Sequence, residues 1–291
     1  MEFIPIEGLL AQLPLLSITT SGSLLHLHLQ RPEKRNAIND ALISQIHTAF
    51  VNLPANTAAV VLSGSGNHFC AGLDLSELTE STTFEGVLHS RTWHAAMDAV
   101  QFARVPVVAV LQGAVVGGGL ELASSAHIRV AEASTFYGLP EGQRGLFVGG
   151  GGSARIPRLI GFSRMTDMML TGRVYDADEG QSIGLSHYRV GKGEGLAKGI
   201  ELARKIAGNA PLSNFSVLQA LPRIAEMSQS NGLFVESLIA SITQGDDAAK
   251  TRMRAFLEGK AAKVSKAMTD DQAAAAAQTV TVGKAAKDGH S

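Results

Sequence analysis

The sequence has a single cysteine, Cys70, among its 291 residues. That excludes an intrachain disulfide and fits a reducing compartment. Surplus charge is also missing: 25 Lys and Arg stand against 26 Asp and Glu, for a net charge of −1. Such a balance gives no general drive toward nucleic acid or an anionic membrane, so any phosphate contact must rest on local cations. No uncharged run is long enough to span a bilayer. The opening MEFIPIEGLLAQLPLLSI is apolar, yet it carries Glu2 and Glu7, has no early Lys or Arg, and is interrupted by Pro5 and Pro14. It lacks the basic start of a secretory or mitochondrial signal, and the expected location is cytoplasmic. No GxxxxGK[ST] phosphate loop occurs, and the glycines fit a GxGxxG fingerprint poorly.

What is present is an ordinary globular composition, 45% hydrophobic, in a chain long enough for one large domain or a core with an appendage. Its organising stretch is residues 106–128, PVVAVLQGAVVGGGLELASSAHI. An apolar run bounded by proline and glycine suits a buried strand. Gly113 lets the chain turn, Gly117, Gly118 and Gly119 follow, and LELA reads as a helix start. Free backbone N–H groups at a helix start can hold a negative oxygen, and glycines let a substrate approach them. Glu121 lies about one turn into that helix and is a candidate acid or base. Close helix–strand packing would account for the glycines equally well.

A second unit of the same kind precedes it. Residues 58–63 (AAVVLS) read as a buried strand, followed by glycines and then FCAGLDLSEL, with a helix expected after Ala71-Gly72 and Asp74 as an early-turn or capping acid. Two such units could aim two N–H groups at one oxygen, which is what a thioester enolate requires. Residues 18–20 and 24–29 read as a hairpin. His26 and His28 share one strand face; a third metal ligand is not evident, and they are read as exposed strand histidines. Asn39 can cap a helix with the stripe Leu42, Ile43, Ile46, Ala49 and Phe50. Lys34 and Arg35, in the loop before it, are either solvated charge or contacts to a ligand phosphate. Residues 82–104 are helical by pattern; His89 and His94 read as packing or surface residues, and Trp93 as packing or as part of an acyl pocket. Helices are expected over most of the chain beyond residue 163, and residues 269–291 read as a low-complexity tail.

Five pieces, in order and spacing, resemble the crotonase, or enoyl-CoA hydratase/isomerase, family: RPEKRNAIN, NHFCAGLDLSEL, LQGAVVGGGLELASSAHIRVA, TFYGLPEGQRGLFVGGGGSARIPRLIG and MLTGRVYDADEGQSIGLSHYRV. Together they cover roughly residues 18–260. The resemblance implies an α/β fold, a spiral of repeated ββα units with a helical C-terminal trimerisation region. The boundaries that follow are an extension over 1–16, the spiral core over 17–208, the helical region over 209–268 and the tail over 269–291.

The resemblance also implies site roles. The oxyanion hole falls on the N–H groups of Leu73 and Gly118, the two catalytic glutamates on Glu121 and Glu141, and a further positioning N–H on Gly149. Coenzyme A contacts fall on Lys34, Arg35, Ala37, Ala71, Gly72, Asp74 and Leu75. RAFLEGKAAK matches a C-terminal segment whose lysine reaches coenzyme A; Gly259 holds that slot, so Lys260 beside it is the weaker candidate. The implied reaction adds water to a 2-enoyl-CoA, one ionised carboxylate taking a proton from water and one protonated carboxyl supplying the proton at Cα. Coenzyme A is then part of the substrate, with no tightly bound cofactor and no metal, and the partners are the thioester and further copies of the chain in a trimer or a dimer of trimers. Isomerisation, dehydration or C–C cleavage on the same scaffold is the alternative, and RNA binding, which some relatives show, is a third reading that the near-neutral charge disfavours. Two departures bear on the acyl pocket: Val148 stands where hydratases often have proline, and Glu141-Gly142-Gln143-Arg144 is more polar than the usual continuation.

Overall fold

The computed structural model describes residues 2–77 and 82–259. Lys260 and the expected tail lie outside the described residues. Strands β1 (Ile4–Pro5), β2 (Leu16–Ser21) and β3 (Leu24–Leu29) are antiparallel, with Ile18 opposite Leu27. The Ser21–Gly22–Ser23 link supplies the tight turn, Gly22 taking a φ of 63°. Helix α1 (Asp40–Val51) begins where Asn39 accepts a hydrogen bond from Leu42 N, and its stripe Leu42, Ile43, Ile46, Ala49 and Phe50 is buried as the periodicity required.

From β3 onward the chain winds. Strand β4 (Ala59–Gly64) pairs parallel with β3. After α2 (Thr83–Gln101), β5 (Val107–Leu111) pairs parallel with β4. Strand β6 (Ala114–Val116) and helix α3 (Gly118–Ser125) follow, then β7 (Ile128–Glu132), parallel to β5. Each return adds one strand to the seven-stranded sheet, whose other edge is reached later. A second ladder runs beside it. Ile38 bridges Leu73, Cys70 bridges Val115, and β6 pairs parallel with β8 (Phe136–Gly138). Every turn of the spiral therefore crosses from one ladder to the other and then returns through a helix, a ββα unit as expected for an α/β spiral.

Helices α4 (Gly152–Ile160) and α5 (Phe162–Thr171) lead to β9 (Tyr175–Asp176), which pairs antiparallel with β8. Helix α6 (Ala177–Ile183) opens on a capping box of Asp176 and Glu179, and β10 (Tyr188–Val190) closes the large sheet against β7. Helix α7 (Gly195–Ala207) covers one face of that sheet over Val61, Val108, Val110 and Val130; the main core fills the other face under α1, α2 and α3. Helices α8 (Pro211–Ile224) and α9 (Gln229–Gly245) follow. Two compact units divide at Thr243 and Gln244. In the second, α10 (Asp247–Leu257) is capped by Asp246, which accepts from Ala248 N and Ala249 N. No helix among the described residues is long and apolar enough to cross a membrane.

Three local expectations are corrected. His26 and His28 are not exposed strand histidines: both are half-buried, and His26 Nε2 and His28 Nδ1 share the Ser63 hydroxyl at 2.7 and 2.6 Å. The parallel register that sets His28 opposite Ser63 on β4 covers that face, and burial pushes the His26 imidazole down to about 4. Past Ala71-Gly72 the described chain makes a 3-10 turn, Leu75–Glu77, in place of the expected helix start; Asp74 heads it, Oδ1 accepting from Ser76 N while Oδ2 meets Arg31, and the rest of the expected helix, residues 78–81, lies outside the described residues. Between Gly113 and Gly117, finally, lies β6, not a plain turn.

Candidate functional site

The second ladder decides what meets at the site. Cys70 opposite Val115 sets Leu73 beside the residues after β6, and Val116 opposite Gly138 sets Gly118 beside the residues after β8. Gly117 N donates to Gly138 O, tying the start of α3 to the strand that leads into Pro140 and Glu141. Leu73, Gly118, Glu121, Glu141 and Gly149 consequently line one cavity of about 290 Å³.

Leu73 and Gly118 both offer unused N–H groups. In the parallel bridge, Ile38 N donates to Gly72 O and Asp74 N to Ile38 O, so the Leu73 N–H points away from that pairing. Gly118 is the first residue of α3 and has no carbonyl one turn earlier to bond. Neither N–H donates to another described residue. The two are close: a Cβ built on Gly118 would lie 3.6 Å from Leu73 N. That Cβ would also lie 2.7 Å from Trp93 Cζ3, so a side chain at 118 would collide with the indole.

The carboxylates are held differently. Glu121, 3% exposed, is the fourth residue of α3. Its Oε1 accepts from Gly150 N and Gly152 N, each at 2.8 Å, at the N-terminus of α4, where the helix favours negative charge. Burial pushes its carboxyl above the usual range; those two N–H groups and Arg155 pull it back. Glu141 follows β8 and heads a 3-10 turn, Gly142–Arg144. Its Oε2 is buried with no hydrogen-bond partner among the described residues. Burial pushes it upward as well, and the nearby Glu121 charge adds to that push. Both carboxyls are thus shifted upward, one supplied with donors and the other short of them.

Helix α2 forms the opposite wall with Gly86, His89, Ser90 and Trp93, one face at helical spacing. Trp93 is 4% exposed and lines the cavity, which settles it as a wall residue. Its Nε1 donates to His89 Nε2 at 3.2 Å, and the same Nε2 lies 2.8 Å from Asp40 Oδ1. Ser90 donates to Gly149 O at 2.6 Å and fixes the loop to the helix. His89 packs against Trp93 as the packing reading has it, and it also lines the cavity, which that reading left out; its spacing of four from Trp93 was the available signal. Leu146, Phe147 and Val148 complete the apolar lining, with Arg144 as the cation of the set.

The coenzyme A candidates lie along one edge. Ala71 N donates to Arg35 O, and Lys34 Nζ to Ser76 Oγ, so Lys34, Arg35 and Ala37 stand beside Ala71, Gly72 and Leu75. Lys34 and Arg35 are exposed. Asp74 belongs to this group by position, but its carboxylate is engaged: Ser76 hydrogen bonds and the Arg31 guanidinium at 2.9 Å hold it down to about 2. Among the described residues no group of three or more His, Cys, Asp or Glu is arranged to hold a metal.

The model of the enoyl-CoA hydratase/isomerase family matches residues 19–266. The chain belongs to that family. A crystal structure of a Rhodopseudomonas palustris family member, provisionally named enoyl-CoA hydratase, is 56% identical, covers 87% of this chain and 98% of its own, and superposes with a TM-score of 0.84. The short-chain-enoyl-CoA hydratase of Clostridium acetobutylicum is 30% identical over 240 residues, 81% of this chain and 92% of its own. The peroxisomal Δ3,5-Δ2,4-dienoyl-CoA isomerase of Arabidopsis thaliana is 28% identical over 244 residues, 78% of this chain and 88% of its own. Family members of this similarity thus include both hydro-lyases and isomerases.

Proposed function

We propose that the chain is an enoyl-CoA hydratase acting on 2-enoyl-CoA thioesters. The observation that carries this reading is the meeting of two unused backbone N–H groups with two unlike carboxyls around one cavity. The thioester oxygen would accept from Leu73 N and Gly118 N, which stabilise the enolate as charge develops on it. Glu121, supplied with donors and so ionised more readily, would take a proton from water as its oxygen adds to Cβ. Glu141, protonated, would deliver its proton to Cα. The exposed Gly149 N–H, used by no described residue, would position the water. One proton leaves water and one reaches Cα, so the two carboxyls exchange states and a further transfer between them, through solvent or the product, resets the pair. An isomerase needs only one such group, and two in one cavity favour hydration over that alternative.

On the same reading, Lys34 and Arg35 would meet coenzyme A phosphates, with Ala37, Ala71, Gly72, Asp74 and Leu75 as the wall they border. The chain would act as a trimer or a dimer of trimers, supported by the exposed Phe234, Leu238 and Ile242 on α9; light scattering tests it. A cytoplasmic site of action is part of the same proposal, tested by cell fractionation. The deciding experiment follows loss of conjugation absorbance in a panel of 2-enoyl-CoA thioesters, with deuterium incorporated at Cα from heavy water. Migration of the double bond without gain of water would overturn hydration in favour of isomerisation.

A further inference from the structure

Apart from the two carboxyls, the polar side chains lining the cavity are His89, Ser90 and Arg144. His89 Nε2 faces the indole N–H of Trp93, which can only donate. Nε2 can accept from the indole or donate to Asp40 Oδ1 at 2.8 Å, but not both; in the first arrangement Nδ1 carries the ring proton. Nδ1 has no partner among the described residues, and in that arrangement it is a donor free for a ligand. Arg144, in the segment whose polarity departs from the family pattern, lines the same cavity, and its guanidinium has no side-chain or carbonyl partner among the described residues. The Ser90 hydroxyl is committed to Gly149 O. Glu121 and Glu141 are the acceptors present, and both serve the reacting carbons in the reading above.

We infer, resting on that hydration reading, that the acyl group taken by this site ends in a carboxylate held by Arg144 and His89. A guanidinium and an imidazole N–H match a planar anion with two acceptor oxygens. A cavity of about 290 Å³ lies at the small end of ligand sites, which suits a short dicarboxylic acyl group better than a long alkyl chain. An alkyl tail would leave both donors dehydrated and unpaired, a state that disfavours it relative to the charged tail.

The test compares hex-2-enoyl-CoA with 5-carboxypent-2-enoyl-CoA, equal in carbon count. The wild type is expected to favour the carboxylated thioester in kcat/KM by roughly tenfold or more, the scale of one charge-assisted hydrogen bond. Arg144→Met should bring the ratio to about one, Arg144→Lys should keep part of it, and His89→Phe should lower it severalfold. Arg144 also lies near enough to Glu141 to oppose its upward shift. If that were its whole role, Arg144→Met would change both rates alike and leave the ratio, which would overturn the inference. So would a wild type that prefers the methyl-ended thioester or does not discriminate. Calorimetry with the saturated pair, hexanoyl-CoA and 5-carboxypentanoyl-CoA, reads the same preference as a Kd ratio without chemistry. Failure of both enoyl thioesters to react would sink hydration alone, while the Kd ratio still decides the carboxylate.

Discussion

Glu121→Gln separates what the site does from what it costs the fold. The amide oxygen can accept from Gly150 N and Gly152 N as the carboxylate Oε1 does, so both 2.8 Å bonds survive in a group of the same shape. They lose charge assistance and become roughly half as strong. Against that, the buried carboxyl disappears, and burial is the leading cause of its upward shift. The sign follows. A carboxyl whose folded pKa lies above its unfolded value is stabilising when protonated; between those two values the folded state binds more protons. Stability then falls as pH rises, by at most about 1.4 kcal/mol per pH unit for one group. The variant should lack that decline. It is expected to melt at least as high as wild type at pH 8, with a relative gain that shrinks as the pH drops toward 4.5; each kcal/mol gained corresponds to about 2–4 °C. Turnover of a 2-enoyl-CoA should nevertheless fall roughly a hundred- to ten-thousandfold, because the amide cannot accept water's proton. Calorimetric melts from pH 5 to 8, run beside the absorbance assay, test both. A variant that melts many degrees lower would mark Glu121 as a latch for the glycine loop, and one that keeps its turnover would remove it from the chemistry.

Three other outcomes are expected. Gly118→Ala should cut turnover at least about tenfold by pushing its N–H off line, since the new Cβ lies 2.7 Å from Trp93 Cζ3; a Trp93→Leu background should restore part of it, and additivity of the two substitutions would refute the collision. Arg31→Met should lower the unfolding free energy by roughly 3–5 kcal/mol, because Asp74 is 5% exposed and would be left without its cation, and denaturant titration measures it. Acid should weaken the fold through His127, whose Nδ1 accepts from Val107 N and whose Nε2 donates to Gln101 O. Burial holds that imidazole down to about 4, so the unfolded chain takes up a proton first as the pH falls below 6.5; the loss grows by about 1.4 kcal/mol per unit to roughly 3 kcal/mol near pH 4, and His127→Gln should flatten that slope.

Features written in consecutive residues were legible before the structure. Asn39 at the head of α1 and the stripe from Leu42 to Phe50 depend on neighbours three or four residues away. Glu121 was legible as a candidate because a glycine turn sits beside it, and Glu141 through the resemblance of its LPE motif to the family. What escaped depends on distant partners. Strand β6 is only three residues long and exists by pairing with β8, about twenty residues on. Asp74 is legible as a turn-heading acid, which its bond from Ser76 N bears out, but not as the partner of Arg31, 43 positions earlier. Ser63 gathers His26 and His28 through a register that alternation alone does not specify. The face of α2 bearing His89 and Ser90 is periodic, but periodicity does not tell a face turned to a core from one turned to a cavity.

The division between ladder and helix has a chemical consequence. The groups assigned to the reaction leave the second ladder at fixed registers: Leu73 at the Ile38 bridge, Gly118 two residues past β6, Glu141 three residues past β8. Gly117 joins them, since its φ of 53° turns the chain and its missing side chain leaves room for Glu141 Oε1, which would lie 2.7 Å from a Cβ there. Moving any of these groups requires slipping a strand, which would displace the others with it. The groups proposed to face the acyl tail are not so tied. His89 and Ser90 are single positions on α2, and Arg144, Leu146 and Phe147 occupy an exposed loop. Substitutions there can change the tail without touching the donors or the carboxyls. A shared reaction core with divergent acyl preference is therefore the expected behaviour of this architecture, and similarity over the ladder informs the chemistry far more than it informs the substrate.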